Sequence, residues 1–450
     1  MNKVHFTSLG CARNLVDTEV MIGILLRAGF HSVEEPRDAD YLVVNTCGFL
    51  QSARDEGFKT IEELFSEKKD TAKIIVAGCM VRDSKEKLKE VFPEIHYFLG
   101  SGDMEKILDA VLSDEKGESL SDSKSYLQQG EVPRTLSTPK HYAYLKIAEG
   151  CKKRCAFCII PLIKGKLVSK TQVAVLKEFE ILVNQGAKEI ILIAQDLGDY
   201  AKDLGIENGL EELLKQMCKI KGDHWIRLLY LYPDEITDTM IEIIKNNPQI
   251  CRYLDMPLQH INDRILKRMH RKTDSKQIKE ILTKLRTEIP DIVIRTSLMV
   301  GFPGETEEEF NELLDFVKEY KLDNVGIFKY SKEEASYSAK LDGHLSDEVK
   351  QDRLERLAAL QKNVIDVNKY IGKKLKVIVD GYHPESDSLL VGRFYGQCPE
   401  IDGRIILNDW RKVDAIGEFY EVEITDAIEY DLIGRVVSKF KKKAKLCISQ

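Results

Sequence analysis

Tyr144-Leu-Lys-Ile-Ala148-Glu149-Gly150-Cys151-Lys-Lys-Arg-Cys155-Ala-Phe-Cys158 runs from an apolar strand pattern straight into three closely spaced thiols. Thiolates are soft ligands suited to iron–sulfur clusters or to zinc. Structural zinc takes four ligands, usually as two spaced pairs. Nothing follows Cys158 at pair spacing, the next cysteine being Cys218. A [4Fe–4S] cube fits the count better, because three cysteines hold three corners and leave one iron open. An open iron can chelate the amino and carboxylate groups of S-adenosylmethionine. An electron from the cluster can then cleave the sulfonium bond, giving a radical able to take hydrogen from unactivated carbon. Cys151, Cys155 and Cys158 are therefore the expected ligands of one [4Fe–4S] cluster.

Outward from this loop the chain alternates between two patterns. Strand-like runs at Tyr144–Ala148, Glu189–Ala194, Trp225–Leu231, Tyr253–Pro257, Ile292–Val300 and Asn324–Phe328 are separated by helical ones such as Leu210–Met217, Ile236–Lys245, Lys276–Glu288 and Glu307–Tyr320. Six β/α units in about 190 residues predict a partial barrel rather than the full eight-unit barrel of ~250 residues. A charged helix, Asp347 to Tyr370, closes the region.

The same alternation fills the first ~110 residues and predicts a parallel sheet covered by helices. Strands are expected at Val4–Leu9, Tyr41–Val44, Ile74–Ala77 and Tyr97–Leu99. Residues 113–140, dominated by Ser, Asp, Lys, Gly and Pro, read as a linker. Beyond residue 370, strand-like runs at Lys374–Val379, Leu389–Phe394, Ile405–Leu407 and Phe419–Ile424, with a further candidate at Gly434–Phe440, are joined by turn residues. They suggest a small antiparallel β-barrel. The expected fold class is α/β: an N-terminal parallel-sheet domain (1–112), a linker (113–140), a central partial (β/α)6 barrel (141–370) and a C-terminal antiparallel barrel (371–440).

Three further cysteines stand at equivalent places in the first domain. Cys11, Cys47 and Cys79 each follow a predicted strand. In a parallel sheet those strand ends share one edge, where ligand crevices form. Gly10, Gly48 and Gly78 beside them would let backbone approach a bulky group. Packing explains any one such cysteine; three at matching positions predict a second cluster, again with one iron open, here for an exogenous sulfur.

The 450 residues carry a formal net charge of −7, so the whole chain is not a generic polyanion binder. No apolar run approaches the ~18 residues of a membrane span. Met1 to Gly10 lacks a signal-peptide core. A cytosolic location is expected, and there ten cysteines point to metal or catalysis before disulfides. Cys218, Cys251, Cys398 and Cys447 lack partners at useful spacing and read as packing or surface residues. His260, ending Pro257-Leu258-Gln259-His260, is a candidate base and equally a hydrogen-bonded structural histidine.

Taken together, these residues resemble the methylthiotransferase branch of the radical S-adenosylmethionine superfamily. Ser8-Leu9-Gly10-Cys11-Ala12-Arg13-Asn14-Leu15-Val16-Asp17 with Asn45-Thr46-Cys47-Gly48-Phe49 looks like its N-terminal domain. Glu149-Gly150-Cys151 through Cys158 looks like the radical core, and the C-terminal barrel is similar to a TRAM domain. Asn14-Leu15-Val16-Asp17, Leu192-Ile193-Ala194-Gln195-Asp196, Arg227-Leu228-Leu229-Tyr230-Leu231-Tyr232-Pro233 and Pro399-Glu400-Ile401-Asp402-Gly403 resemble the RimO type, which modifies an aspartate of ribosomal protein S-twelve. Lys164, Lys170 and Glu333-Glu334-Ala335-Ser336 depart from the family pattern.

The resemblance implies two [4Fe–4S] clusters, S-adenosylmethionine, and transfer of a methylthio group to the β-carbon of the target aspartate. It implies Phe157 against the adenine, with Gln195, Asp196, Arg295, Gly301, Gly304 and Glu305 around the adenosine and methionine. A reducing protein such as flavodoxin or ferredoxin is the implied electron donor. The alternative within the family is a tRNA enzyme modifying an adenosine beside the anticodon. Charge argues against tRNA as partner: from Asp380 to Asp431 there are thirteen Asp or Glu and four Lys or Arg. Such a barrel repels phosphates and attracts a basic protein. The basic tail Lys439 to Lys445 pulls the other way.

Overall fold

The computed structural model describes residues 2–121, 127 and 133–440; Cys447 and the basic tail beyond Phe440 lie outside the described residues. The first domain is a six-stranded sheet of β1 (Lys3–Ser8), β2 (His31–Ser32), β3 (Tyr41–Thr46), β4 (Lys73–Gly78), β5 (Tyr97–Gly100) and β6 (Gly117–Ser119). Its order is β2-β1-β3-β4-β5-β6, and every pairing is parallel. The central β3 and β4 are apolar on both faces because helices cover both. Those helices are α1 (Ala12–Arg27), α2 (Gln51–Glu67), α3 (Cys79–Val91) and α4 (Ile107–Leu112).

β6 falls inside the stretch expected to be linker. It pairs with β5 through Tyr97↔Gly117 to Leu99↔Ser119. With only three residues, Gly-Glu-Ser, it carries no apolar run to announce it. Farther along the same stretch, Arg134 donates to Glu19 Oε2 at 2.6 and 2.9 Å and to Glu178 Oε1 at 2.7 Å. The segment thereby ties α1 to a helix of the central domain, Gln172–Asn184.

The central sheet contains β7 (Tyr142–Lys146), β10 (Glu189–Ile193), β11 (Trp225–Leu228), β12 (Ile250–Asp255), β13 (Val293–Val300) and β14 (Asn324–Lys329). The short β8 (Ala148–Glu149) and β9 (Val168–Ser169) pair antiparallel and close the base of the cysteine loop. The sheet is open, parallel and ordered β14-β13-β12-β11-β10-β7, the expected six-unit partial barrel. Alternation divides its faces. Ala143, Leu145, Ile190 and Leu192 pack with the surrounding helices. Tyr142, Tyr144, Ile191 and Ile193 pack with Val377, Phe394 and Phe419 of the C-terminal barrel.

That barrel closes in the order β15 (Lys374–His383), β16 (Ser386–Phe394), β17 (Ile405–Asp409), β19 (Asp431–Lys439), β18 (Phe419–Ile428). It is not wholly antiparallel, because β17 and β19 pair in parallel. Parallel partners cannot be joined by a hairpin; here β18 carries the chain back across before β19 begins. Arg393 locks the barrel to the core, donating to Asp380 at 2.8 and 2.9 Å and to Glu189 at 2.6 Å. Arg227, fully buried, meets the other Glu189 oxygen at 2.6 Å and Tyr395 O at 2.7 Å. Among the described residues no helix is long and apolar enough to cross a membrane.

Candidate active site

β1, β3 and β4 end side by side, with Ser8 opposite Asn45 and Thr46 opposite Gly78. Cys11, Cys47 and Cys79 therefore emerge at one edge. Cys11 caps α1 and Cys79 opens α3. Gly10 sits in the left-handed region (φ 89°), and a Cβ there would lie 2.7 Å from Cys47 Cβ. Asn14 supports the trio from below. Its amide donates to Leu9 O at 3.2 Å and Thr46 O at 3.0 Å, and its oxygen accepts from the Cys79 thiol at 3.6 Å. Burial opposes ionisation of Cys11, but Arg13, nearby backbone N–H groups and Lys164 outweigh it and hold that thiol below its ordinary value. Burial raises Cys47, and pushes Cys79 up to about 12.

The second trio lies at the mouth of the central barrel. Gly150 turns the chain with φ 83°, and a Cβ there would meet Lys166 O at 2.1 Å. Cys158 N–H donates to Cys155 O at 3.0 Å. Arg271 Nη1 and the Tyr232 hydroxyl each lie 3.6 Å from Cys155 Sγ, and the guanidinium stacks 4.0 Å from the Tyr232 ring. Burial pushes Cys151 up to about 11 and Cys158 up to about 12. Ligation of a soft metal removes that penalty, since a coordinated thiol is held as thiolate.

The spread of the sulfurs bears on what each trio fits. Zinc–sulfur bonds of about 2.3 Å would draw three ligands together around a single ion. Among the described residues, only Asp196, Asp199 and Glu235 bring three candidate ligand atoms within 4.8 Å of one another. In each cysteine trio at least one pair of sulfurs lies farther apart than that, which does not suit a single zinc ion. The three carboxylates are already matched by lysine: Lys153 lies 3.3 Å from Asp196 and 2.6 Å from Glu235, and Lys202 lies 3.1 Å from Asp199.

A charged knot joins the two trios. Lys146 contacts Asp17 and lies 2.7 Å from Glu149, while Lys164 lies 3.2 Å from Glu149 and 3.6 Å from Asp17. All four side chains are buried. Asp17 comes from α1 and the others from the central domain, so the knot fixes one trio against the other. Lys164 also faces Cys79 and Cys11, which with the two carboxylates hold its ammonium well above the ordinary value against burial. Arg13, one turn before Asp17, donates to Ala194 O at 2.9 Å and lies 5.0 Å from the Tyr230 ring centre.

The residues expected around S-adenosylmethionine divide. Phe157 packs with Ala156, Met269, Phe302 and Tyr330 beside the second trio. Asp196 caps the turn at Gly198 with a 3.0 Å bond and, chiefly through burial, has its carboxyl raised to about 7. Gln195 turns to the knot and donates to Glu149 at 3.0 Å. Arg295 is engaged by Asp255 at 2.7 Å and Asp402 at 3.6 Å, at the junction with the C-terminal barrel. Glu305 accepts from Gly301 N–H at 2.6 Å and Phe302 N–H at 3.0 Å and pairs with Arg353 at 2.9 Å, bracing its own loop. Gly304 N–H donates to Gly343 O at 2.7 Å. His260 is buried with Nδ1 accepting from Asn262 N–H at 3.0 Å, and burial lowers it to about 3, which suits a structural residue.

Comparison with known proteins follows the three parts of the molecule. Residues 3–100 match the Uncharacterized protein family UPF0004, residues 145–317 the Radical SAM superfamily, and residues 371–437 the TRAM domain. A protein of Protochlamydia amoebophila named ribosomal protein uS12 methylthiotransferase RimO is 59% identical, covering 97% of this chain and 93% of its own. Proteins of the same name from Chlamydia pneumoniae (55%, 100% and 97% covered) and Bdellovibrio bacteriovorus (44%, 97% and 97%) extend the match. The chain belongs to the RimO family. Among solved structures, the radical S-adenosylmethionine methyltransferase TsrM from Kitasatospora setae shares the fold, with TM-score 0.52, 15% identity, and 74% of this chain and 76% of that one covered.

In this RimO-family member the departures from the family pattern acquire physical partners. Lys164 belongs to the knot, and Lys170 pairs with Glu178 at 2.5 Å. Glu333 accepts from Gln51 N–H at 3.1 Å and from Arg54 at 2.6 Å, pinning the start of α2 to the core. Arg271, Tyr232 and Lys146 were given no role from the sequence. The first two stand more than 70 residues from the cysteine they touch, and no local spacing reports such contacts.

Proposed function

We propose that this protein is a radical S-adenosylmethionine enzyme that adds a methylthio group to the β-carbon of an aspartate of ribosomal protein uS12. The observation that carries this reading is the pair of thiol trios fixed against one another by the buried Lys146–Asp17–Lys164–Glu149 knot. Cys151, Cys155 and Cys158 would hold the cluster that binds S-adenosylmethionine; Cys11, Cys47 and Cys79 would hold a second. When bound, the clusters supply reductive cleavage of S-adenosylmethionine on one side and a sulfur carrier on the other. The chain's own contribution is placement. Arg271 and Tyr232 orient Cys155, Asn14 orients Cys79, and Phe157 offers an apolar wall beside the second trio for the adenine. Gln195, Asp196 and the Gly301–Glu305 loop shape the barrel mouth around the methionine, and Arg295 braces it from the barrel junction. We assign the three working units to 1–112, 141–370 and 371–440, joined by 113–140, and the protein to the cytoplasm.

Charge supports the two partners. Most of the barrel's thirteen carboxylates have internal partners: Asp380 meets Arg393, Asp402 accepts from Tyr253 at 2.7 Å, Asp431 accepts from Arg404 N–H at 2.7 Å, Glu400 accepts from Tyr142 at 2.9 Å, and Asp414 and Glu429 pair with Lys439 at 3.1 Å and Lys362 at 2.7 Å. Glu385, Asp387 and Asp426 remain exposed, and with the acidic excess of the barrel they suit a basic protein better than tRNA. Beside Cys155 the surface is instead basic, with Lys152, Arg154 and Lys272 exposed. That surface suits a negatively charged reductant of flavodoxin or ferredoxin type. The test is anaerobic incubation of the reconstituted, reduced protein with S-adenosylmethionine, sulfide, uS12 and tRNA. A methylthio mass increment on a uS12 aspartate is expected; a methylthiolated nucleoside with unmodified uS12 overturns the substrate assignment.

A further inference from the structure

We infer that Arg13 is the residue that grips the side-chain carboxylate of the target aspartate, and so selects aspartate over asparagine. The inference rests on the reading above, in which the substrate is an aspartate attacked at its β-carbon. That carbon must reach both trios, and the carboxylate is bonded directly to it. A cation placed where the trios meet would hold that carboxylate.

Arg13 occupies that place. It follows Cys11 by two residues, and reaches across the domain boundary to donate to Ala194 O at 2.9 Å, at the end of β10. Its side chain thus spans from the Cys11 turn of the first domain to the strand end of the central domain, which carries Cys151, Cys155 and Cys158. Its guanidinium is packed against Tyr230, 5.0 Å from the ring centre, so its aim is set. Among the described residues it has no carboxylate within 4.0 Å, and it is partly exposed. With one donor spent on Ala194, the remaining N–H groups of the fork suit a two-pronged carboxylate.

The other buried or half-buried cations of the region are committed, and Lys152, Arg154 and Lys272 lie on the outer surface beside Cys155. Lys146 and Lys164 share Asp17 and Glu149. Lys153 faces Asp196, Asp234 and Glu235, and Arg295 faces Asp255. Arg271 is held by Pro257 O at 2.6 Å and by Cys155. A cation in the first turn of a helix also works against the helix dipole. Arg13 stands there in α1, where no acidic residue accompanies it.

The test compares uS12 with a uS12 in which asparagine replaces the target aspartate. Binding to the reconstituted wild-type, Arg13→Gln and Arg13→Lys enzymes is measured together with their iron content. Wild type is expected to bind the aspartate form tighter by about 30-fold or more, the loss typical of removing one partner of a desolvated charge pair. Arg13→Gln is expected to keep its iron and bind both forms equally. Arg13→Lys, which keeps the charge without the fork, is expected to retain part of the preference. A full preference in Arg13→Gln overturns the proposal. Iron loss in Arg13→Gln with an unchanged preference in Arg13→Lys also overturns it, since balancing cluster charge would then explain the arginine. A wild type that binds both forms equally and modifies neither overturns the substrate reading itself, and this proposal with it.

Discussion

Each thiol of the two trios has a distinct surrounding, and replacing them one at a time should separate their roles. Cys79→Ala is expected to lower iron per chain to about half, because only one of two four-iron sites is lost. Iron analysis of the reconstituted protein checks this, and full iron retention would contradict the second cluster. Gly10→Ala tests the cradle beside Cys47. A Cβ 2.7 Å from Cys47 Cβ, at φ 89°, must displace the thiol and strain a left-handed residue by about 1–2 kcal/mol. A lower thermal midpoint and iron depleted only at the first site are the expected results. The gathering of six cysteines into two groups was legible in the sequence because strand periodicity and short spacing are local signals. Lys146 was not: a lysine within the apolar run Tyr142–Lys146 gains meaning only when α1 brings Asp17 against it.

At the scale of elements, the loop after β13 depends on a remote helix. Glu305 holds Gly301 and Phe302 through their N–H groups and is itself held by Arg353, on helix Asp347–Val364. Arg353→Ala leaves that carboxylate buried without its cation and should cost about 3–5 kcal/mol. Urea unfolding measures the loss, and a change below about 1 kcal/mol would show the pair to be dispensable. The resemblance placed this loop at the barrel mouth with Glu305 among the ligand contacts, and gave no sign of its internal bonds. Which way a carboxylate turns depends on a partner 48 residues away, beyond the reach of motif reading. β6 escaped for a related reason. A three-residue edge strand is defined by the neighbour it pairs with, and Gly117-Glu118-Ser119 has no pattern of its own. The parallel pairing of β17 with β19 likewise depends on the path of the chain between them, and strand patterns carry no such information.

For the whole molecule, the proposed docking rests on the distribution of charge more than on the net charge of −7. Charge reversal of three exposed carboxylates, Glu385→Lys, Asp387→Lys and Asp426→Lys together, is expected to slow association with uS12 by about tenfold at low salt. Cleavage of S-adenosylmethionine without substrate should stay unchanged. Stopped-flow association at two ionic strengths checks this, and an unaltered rate would remove the barrel from substrate docking. The acidic bias was visible in composition. Its surface share was not, because Asp380 and Asp402 are spent on joining the barrel to the core, through His141 and Tyr253. The decisive test of two facing trios with divided work compares wild type, Cys79→Ala and Cys155→Ala in one anaerobic assay, reading uS12 mass and 5′-deoxyadenosine together. The account predicts that wild type gives both products, Cys79→Ala gives 5′-deoxyadenosine with unmodified uS12, and Cys155→Ala gives neither; methylthiolated uS12 from Cys79→Ala would contradict it.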